Sequence, residues 1–468
     1  MHGARYGSDM AKEKVTYRCA ECGWTSPKWM GQCRECQAWG TLEEIGPAGS
    51  GAPRASKPSA PREAALPIEQ VDADQTRAKA TGIGEFDRVL GGGLVPGAVV
   101  LLAGEPGVGK STLLLDVAAK VAEQARVGGA GPVLYVSGEE SASQVKGRAQ
   151  RIGALDPNLL LADEDDVSAV LGHVEMESPS LLIVDSIQTL HSPAVEGSPG
   201  GVTQVRAVAS DLIRSAKARN MPVLVVGHVT KDGGIAGPRV LEHLVDVVCQ
   251  FEGDRHSRLR LLRAVKNRYG PTDEVGCFEL VDTGINGLAD PSGLFLSGTS
   301  QDVPGSCVTV TLEGRRPMPT EIQALVAPSA GGSPRRTTSG VDHSRVAMIL
   351  AVLQARLGAD TSELDVYAST VGGAKTTEPA SDLATALAVV SAARGKALTP
   401  GLVAVGEVGL TGELRACTGV QRRLQEAARL GFELAIVPER GSDGLTAPAG
   451  MKVVTAGDLR AAIGAALA

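Results

Sequence analysis

Short apolar runs alternate with helix-like stretches between about residues 68 and 295. The runs have the length of buried strands, and the stretches between them are long enough for helices. This alternation predicts a mostly parallel α/β sheet with helices on both faces. The last two runs lie close together and predict an antiparallel addition to the sheet. The predicted strands cover residues 99–103, 132–136, 181–184, 223–226, 247–251 and 259–265.

The pattern changes at about residue 296. Residues 307–312 and 322–326 predict strands, and apolar positions at helical spacing then predict a helix. Two more helices are predicted at about 381–393 and 420–430. The apolar positions of the first helix are Val346, Ile349, Leu350, Leu353 and Leu357. We therefore expect a separate α+β domain in this part of the chain.

The beginning of the chain has a different composition. Residues 17–45 contain four cysteines and all three tryptophans, whereas residues 46–67 are rich in Gly, Pro, Ala and Ser without apolar periodicity. Such a segment predicts a flexible linker. The predicted organisation is a cysteine module at 1–45, the linker, an α/β domain at 68–295 and an α+β domain at 296–468.

Bulk composition narrows the class of protein. The 468 residues suggest two or three domains, and 43% hydrophobic with only 3% aromatic residues predicts aliphatic cores. A net charge of −7 argues against coating of nucleic acid over the whole surface but leaves room for a local basic channel. The chain shows neither an apolar run of membrane-spanning length nor a signal-peptide pattern. We expect a cytoplasmic protein with no membrane partner, in which Cys249, Cys277, Cys307 and Cys417 are reduced thiols.

One motif is strongly indicative of nucleotide binding. Residues 104–111 fit the phosphate-binding pattern G-x-x-x-x-G-K-[ST], between a predicted strand and a predicted helix. Lys110 would neutralise the β- and γ-phosphates, and the Ser111 hydroxyl would ligate magnesium. The motif predicts binding of ATP or GTP with Mg²⁺. The expected nucleotide contacts are Gly104, Glu105, Pro106, Gly107, Val108, Gly109, Lys110, Ser111, Thr112 and Asp185.

Polar residues at the ends of later strands complete the predicted ATPase site. Asp185 follows an apolar strand and is placed like a Walker B carboxylate, which holds the magnesium through water. Glu139 follows another strand and is the predicted base that orients the attacking water, with Glu140 as the second choice. His228 either senses the γ-phosphate or is a structural histidine. The segment at 231–239 is Gly-rich with basic ends.

Two CxxC pairs, separated by ten residues, form a pattern typical of structural zinc sites. The predicted ligands are Cys19, Cys22, Cys33 and Cys36. Two disulfides are the alternative, which a reducing compartment disfavours. Four thiolates leave no open position, so a catalytic zinc is not expected. Two interpretations remain open for Trp24, Trp29 and Trp39: packing over the module, or a stacking surface for a partner or single-stranded nucleic acid.

Residues 81–93, which lead into the phosphate-binding loop, resemble the RecA-like core shared by bacterial RadA (Sms) and KaiC proteins. The cysteine module and residues 266–270 narrow the resemblance to the bacterial RadA family of repair proteins, and residues 227–246 are similar to that family as well. Tyr269 stands where the family's K-N-R-F-G motif has Phe, which keeps the aromatic ring. The resemblance covers almost all of residues 11–468.

The resemblance implies a ring-forming, DNA-dependent ATPase of recombinational repair, described for the family as a hexameric helicase that drives branch migration. Its implied partners are single-stranded and branched DNA, identical subunits in a hexamer, and the strand-exchange recombinase. The resemblance also implies that Lys266 and Arg268 reach the γ-phosphate of the neighbouring subunit. Without the resemblance, residues 266–268 would be interpreted as a basic strand end at the surface. Our own hypothesis is that ATP bound between subunits orders the segment at 231–239 onto single-stranded DNA inside the ring.

Residues 365–468 resemble the proteolytic domain of Lon, which implies a Lon-protease-like fold for the C-terminal domain. A Lon peptidase needs a serine nucleophile that is activated by a lysine. This chain has Asp382 at the serine position, with Ser381 one residue away, and Arg415 at the lysine position. Because arginine cannot deprotonate to act as a base, we expect no peptidase activity. Ser381 acting with some other base is the remaining alternative. The domain is then expected to serve ring assembly and DNA binding.

Three other functions are alternatives to the DNA-stimulated motor. A KaiC-like regulatory ATPase would lack the cysteine module and the motif at 266–270. Asp382 and Arg415 argue against an ATP-dependent protease, because they stand where a Lon peptidase has its serine and lysine. A filament-forming recombinase is less compatible with a C-terminal domain that would cap the subunit.

Overall fold

The computed structural model describes residues 16–20, 22–45, 67–70, 77–228, 241–253, 258–297, 303–329, 334–359 and 361–467. The chain divides into two compact units, Met1–Asp72 and Ala73–Ala468. Of the predicted linker at 46–67, only Pro67 lies within the described residues. In the described part of the chain, no helix combines the length and the apolarity needed to cross a membrane.

The first unit contains a small antiparallel sheet in the order β2-β1-β3. Its strands are β1 (Thr16–Cys19), β2 (Thr25–Ser26) and β3 (Leu42–Ile45). Cys19, Cys33 and Leu42 form its small buried cluster, against which Trp24 packs. Trp29 and Trp39 remain 61% and 75% exposed. The packing interpretation therefore holds for one tryptophan, whereas the other two lie largely on the surface.

The second unit begins with a nine-stranded sheet, here called the central sheet, in the order β12-β11-β10-β9-β4-β8-β7-β5-β6. Strands β4 to β9 pair in parallel, and β10, β11 and β12 are added antiparallel. The strands are β4 (Val99–Gly104), β5 (Val133–Ser137), β6 (Leu159–Asp163), β7 (Leu181–Asp185), β8 (Val223–His228), β9 (Val247–Gly253), β10 (Leu259–Asn267), β11 (Val275–Val281) and β12 (Gly284–Gly287). The predicted mostly parallel sheet with an antiparallel addition is confirmed, but β9, predicted as part of that addition, pairs in parallel with β4. Strands β6, β11 and β12 were not predicted.

Alternation along the central strands explains why both faces of this sheet are covered. Val100 and Leu102 face a core formed with the first three helices, whereas Val99, Leu101 and Ala103 face a second core on the other side. The first group of helices is α1 (Gly84–Leu90), α2 (Lys110–Gly128) and α3 (Ala142–Ile152). The opposite face is covered by α4 (Val167–Glu177) and α5 (Val202–Arg219). Burial on both faces requires the continuous apolar runs seen in the sequence.

The C-terminal sheet has seven strands in the order β15-β16-β14-β13-β17-β20-β21, and β18 and β19 form a separate hairpin. Its strands are β13 (Ser306–Glu313), β14 (Arg316–Pro328), β15 (Arg336–Ser339), β16 (Leu364–Thr370), β17 (Leu402–Ala404), β20 (Leu434–Pro438) and β21 (Lys452–Ala456). The hairpin is β18 (Glu407–Val408) and β19 (Leu414–Arg415). The helices are α6 (His343–Leu357), α7 (Asp382–Arg394), α8 (Val420–Arg429) and α9 (Leu459–Ala466). Strands and helices mix here as the sequence pattern predicted.

Candidate nucleotide site and metal centre

The phosphate-binding loop connects the end of β4 to the first turn of α2. Gly107 and Gly109 have φ angles of 80° and 109°, in the left-handed region that favours glycine. Gly104 has a different requirement, because a Cβ there would lie 2.4 Å from the carbonyl oxygen of Phe251. The loop ends at the N-terminus of α2, where the backbone N–H groups of a helix favour an anion. Pro106 and Val108 lie within the loop, and Thr112 follows Ser111 in the first turn.

Lys110 is buried and folded back onto the loop. Its Nζ donates hydrogen bonds to the carbonyl oxygens of Gly104 at 2.8 Å and Glu105 at 2.9 Å. Burial lowers the pKa of Lys110 to about 8, while the nearby carboxylates of Asp185 and Glu139 act in the opposite direction. The three predicted charged residues are thus brought together around the loop.

Asp185 ends β7 and is 7% exposed. Tyr135 donates a hydrogen bond from its Oη to Asp185 Oδ2 at 2.7 Å. No described residue donates to Asp185 Oδ1, and the Ser111 hydroxyl makes no hydrogen bond with the described residues either. Two oxygen ligands therefore remain for a hard cation such as Mg²⁺, which the residue types fit.

Glu139 and Glu140 follow β5 but make different contacts. Ser186 donates a hydrogen bond to Glu139 Oε1 at 3.0 Å, and His228 Nε2 lies 3.2 Å from the same oxygen without forming a hydrogen bond. Glu140 instead pairs with Arg148 on α3. Of the two carboxylates, Glu139 is the one directed toward the strand ends that carry Asp185 and His228.

Lys266 and Arg268 are not brought to this loop. Arg268 Nη1 lies 3.2 Å from Asp246 Oδ1, and Asp246 Oδ2 accepts a hydrogen bond from the backbone N–H of Val99 at 3.0 Å. Val99 begins β4, whereas the phosphate-binding loop follows its last residue, Gly104. Five steps along a strand cover roughly 16 Å.

Lys266 is held at the same end of the strands. Its Nζ donates to the carbonyl oxygens of Glu242 at 2.6 Å and Val245 at 2.8 Å. Burial and the neighbouring Arg268 lower the pKa of Lys266. Both basic residues therefore lie at the opposite end of the central strands from the loop of their own chain. The predicted DNA segment at 231–239 lies outside the described residues.

The four predicted metal ligands of the first unit converge. The sulfurs of Cys19, Cys22, Cys33 and Cys36 all lie within 4.8 Å of one another. Two of the separations, Cys19 to Cys36 and Cys22 to Cys33, are 3.6 Å, and none of these four cysteines is in a disulfide. Zinc–sulfur bonds of about 2.3 Å in a tetrahedron place the sulfurs about 3.8 Å apart. The cluster fits a zinc ion, and the disulfide alternative is wrong for this structure.

Asp382, which stands at the serine position of the Lon resemblance, forms an ion pair. Arg345 on α6 donates through Nε to Asp382 Oδ1 at 2.6 Å and through Nη2 to the other oxygen. Burial raises the pKa of Asp382, against the effect of Arg345 and of the Val408 N–H. Arg415 pairs with Glu407 and Glu413 instead. The described residues around Asp382 and Arg415 thus form ion pairs rather than a nucleophile and its base.

Sequence reasoning missed Tyr135, Arg148 and Ser186 as neighbours of the site. Tyr135 carried a signal, because it is the one polar-tipped side chain in the predicted strand at 132–136. The partner of Arg148 depends on which glutamate turns toward α3, and the sequence contains no sign of that.

Three family models match separate parts of the chain. A model described as "AAA domain" matches residues 63–234. "Rubredoxin metal binding domain" matches residues 17–44, which contain the four cysteines. "Subunit ChlI of Mg-chelatase" matches residues 369–441.

Curated relatives cover nearly the full length. "DNA repair protein RadA" of Mycolicibacterium smegmatis is 53% identical over 463 residues, which are 97% of this chain and 97% of that protein. The chain belongs to the RadA family. The RadA proteins of Mycobacterium tuberculosis and Bacillus subtilis are 50% and 43% identical, over 97% and 95% of this chain and 93% and 97% of their own lengths.

The predicted family and fold class are both confirmed: a RecA-like P-loop core, an N-terminal zinc ribbon and a C-terminal α+β Lon-protease-like domain. A solved structure described as the RadB recombinase matches 44% of this chain and 98% of its own, with 22% identity and a TM-score of 0.35.

Proposed function

We propose that this chain hydrolyses ATP to drive a ring-shaped motor on single-stranded DNA, and that it promotes branch migration in recombinational repair. The relatives are called DNA repair proteins, and the model described as "AAA domain" covers the phosphate-binding loop and strands β4 to β8. The observation that carries the proposal is the position of Lys266 and Arg268, about one strand length from the phosphate-binding loop of the same chain. Basic residues there can meet a γ-phosphate only on a neighbouring subunit.

The proposed chemistry divides between two subunits. In one subunit, Lys110 and the loop N–H groups bind the phosphates, Ser111 and Asp185 hold the magnesium ion, and Glu139 orients the attacking water. The neighbour supplies Lys266 and Arg268. A magnesium ion held by Ser111 and Asp185 would supply positive charge against the negative charge that develops on the phosphates. A positive group supplied in trans can contribute about 10³–10⁵ in rate.

We propose that β8 couples ATP hydrolysis to DNA binding. His228, its last residue, lies 3.2 Å from Glu139 Oε1, and the chain continues directly into the Gly-rich segment at 231–239. A change at the γ-phosphate would thereby be transmitted to the segment that we propose contacts single-stranded DNA. The net charge of −7 means that DNA binding should be local and should weaken steeply with salt.

The first test is ATP turnover with and without single-stranded DNA. Wild-type turnover should rise with DNA, Lys110→Ala should bind no nucleotide, and Arg268→Ala should bind ATP but lose about 10³-fold in turnover. Wild-type ATP turnover that is unchanged by DNA would contradict the motor and favour a regulatory ATPase.

A mixing experiment tests the shared site itself. Glu139→Gln and Arg268→Ala subunits should each be inactive alone, but an equal mixture should regain about a quarter of wild-type turnover, because one subunit donates Arg268 to the intact site of the other. The matched control mixes Arg268→Ala with the Glu139→Gln/Arg268→Ala double variant, which has no Arg268 side chain to donate to a neighbour. Recovery in both mixtures, or in neither, would contradict a site completed in trans.

Ring and filament can be separated by size. A head-to-tail interface closes into a ring or continues as a filament, depending on the rotation between subunits. We expect a single discrete hexamer in mass photometry with Mg²⁺ and a non-hydrolysable ATP analogue. A length distribution that grows with protein concentration would favour the filament-forming recombinase.

A further inference from the structure

Tyr135 is a polar-tipped residue in the middle of an otherwise aliphatic strand. It is 1% exposed, and its ring packs in the core beneath α2 and α3. Phenylalanine would fill nearly the same space without carrying a hydroxyl into the core. A buried hydroxyl costs free energy unless it is hydrogen-bonded, so the identity of its partner is informative.

That partner is the carboxylate of Asp185. β5 and β7 are parallel neighbours, with Tyr135 opposite Ile183 and Ser137 opposite Asp185. The long tyrosine side chain spans these two positions, so that Oη donates to Asp185 Oδ2 at 2.7 Å. Asp185 is the single hydrogen-bond partner of this hydroxyl among the described residues.

The contact gives the two carboxylate oxygens of Asp185 different roles. Oδ2 is occupied by the phenol, whereas no described residue donates to Oδ1. A carboxylate that is held through one oxygen cannot rotate freely, so the other oxygen keeps a constant direction.

We propose that Tyr135 is a positioning residue for the magnesium site, which fixes the carboxylate of Asp185 so that Oδ1 faces the hydrated ion. The inference rests on the proposed function, because it takes Asp185 as the carboxylate that holds magnesium. Hydrogen-bond partners of metal-site carboxylates orient them, and their loss typically lowers metal affinity by about 10–100-fold.

The decisive variant is Tyr135→Phe, which removes one oxygen atom. Binding of a fluorescent, non-hydrolysable ATP analogue is titrated with Mg²⁺, and binding is also measured in EDTA. We expect the Mg²⁺ concentration at half effect to rise about 10-fold, with affinity in EDTA unchanged. Tyr367→Phe, in β16 of the C-terminal sheet, is the matched control and should leave both quantities at wild-type values.

Unchanged Mg²⁺ dependence in Tyr135→Phe would overturn the inference. Equal losses with Mg²⁺ and in EDTA would overturn it too, because they indicate a general packing defect. Failure of the proposed function looks different: wild-type ATP turnover would then not rise with DNA, and if the magnesium site itself were wrong, Mg²⁺ would not strengthen nucleotide binding even in the wild type.

A double-mutant cycle covers the case in which Tyr135→Phe lowers stability. Asp185→Asn should already have lost most of the Mg²⁺ effect, so adding Tyr135→Phe to it should change the Mg²⁺ midpoint no further. Additive effects of the two substitutions would mean that Tyr135 does not act through Asp185.

Discussion

At the scale of single residues, Glu139 and Glu140 have different surroundings although they are consecutive. Glu139 accepts a hydrogen bond from Ser186 and lies beside His228, at the strand ends that carry the nucleotide site. Glu140 is paired with Arg148, and its backbone N–H and C=O bond to the Ser137 hydroxyl. A carboxylate neutralised by a guanidinium is a poor acceptor for a water proton, so Glu139 is the better candidate base.

Paired substitutions test this difference. Glu139→Gln should lower ATP turnover about 10²–10⁴-fold while nucleotide binding is retained, because the amide has the same shape but cannot accept the proton. Glu140→Gln is the matched control and should stay within about fivefold of wild type. Both are measured by steady-state phosphate release with saturating DNA. A larger loss in Glu140→Gln than in Glu139→Gln would reverse the assignment.

At the scale of elements, α6 and α7 are joined by the ion pair of Arg345 and Asp382. Asp382 begins α7, where a negative charge is favoured by the helix dipole, and its side chain is 3% exposed. Arg345 lies in the first turn of α6 and donates hydrogen bonds to both carboxylate oxygens of Asp382. At the position where the Lon resemblance expects a nucleophile, this fold has a structural contact between two helices.

Asp382→Ser therefore should not create a peptidase. The substitution leaves Arg345 without its partner, and because Arg345 is 23% exposed the cost in unfolding free energy should fall below the about 3–5 kcal/mol of a fully buried pair. We expect a lower urea midpoint and casein cleavage at the wild-type background. Asp382→Ser/Arg345→Met should recover part of the stability, because the uncompensated charge is gone. Casein cleavage above background in either variant would contradict the structural role.

At the scale of the whole molecule, Arg316 ties the C-terminal sheet to the central sheet. It begins β14, is 6% exposed, and pairs with Glu85 on α1. Its guanidinium also donates to three carbonyl oxygens, those of Val275, Leu288 and Ala289. Further ion pairs between the two sheets and their helices involve Arg263 with Glu313, Arg315 with Asp273, and Arg429 with Asp290.

Arg316→Met should weaken this junction far more than a change at its neighbour. It leaves Glu85 buried without a cation and three carbonyls without a donor, which should cost about 3–5 kcal/mol. Arg315→Met is the matched control, because its pair with Asp273 is about half exposed and should contribute less than about 1 kcal/mol. Calorimetry is the measurement. Equal melting curves for the two variants would show that the junction does not depend on the buried pair.

Local motifs were readable from the sequence because all their atoms come from neighbouring residues. The loop from Gly104 to Ser111 has a conformation set by its own glycines. Each CxxC pair closes over a single turn, and central strands such as β4 are uniformly apolar because both faces are covered. Strand β12 was missed, since its sequence, Gly-Ile-Asn-Gly, has no strand pattern and pairs only because β11 lies beside it.

Contacts between distant residues could not be read in this way. Tyr135 meets Asp185 across 50 positions, Arg345 meets Asp382 across 37, and Arg316 meets Glu85 across 231. Lys266 and Arg268 were recognised as a motif, but their distance from the phosphate-binding loop follows from the antiparallel direction of β10. A sequence specifies backbone conformation and burial over a few residues. Which side chains become neighbours depends on strand order and register, and these arise only when the sheets are packed.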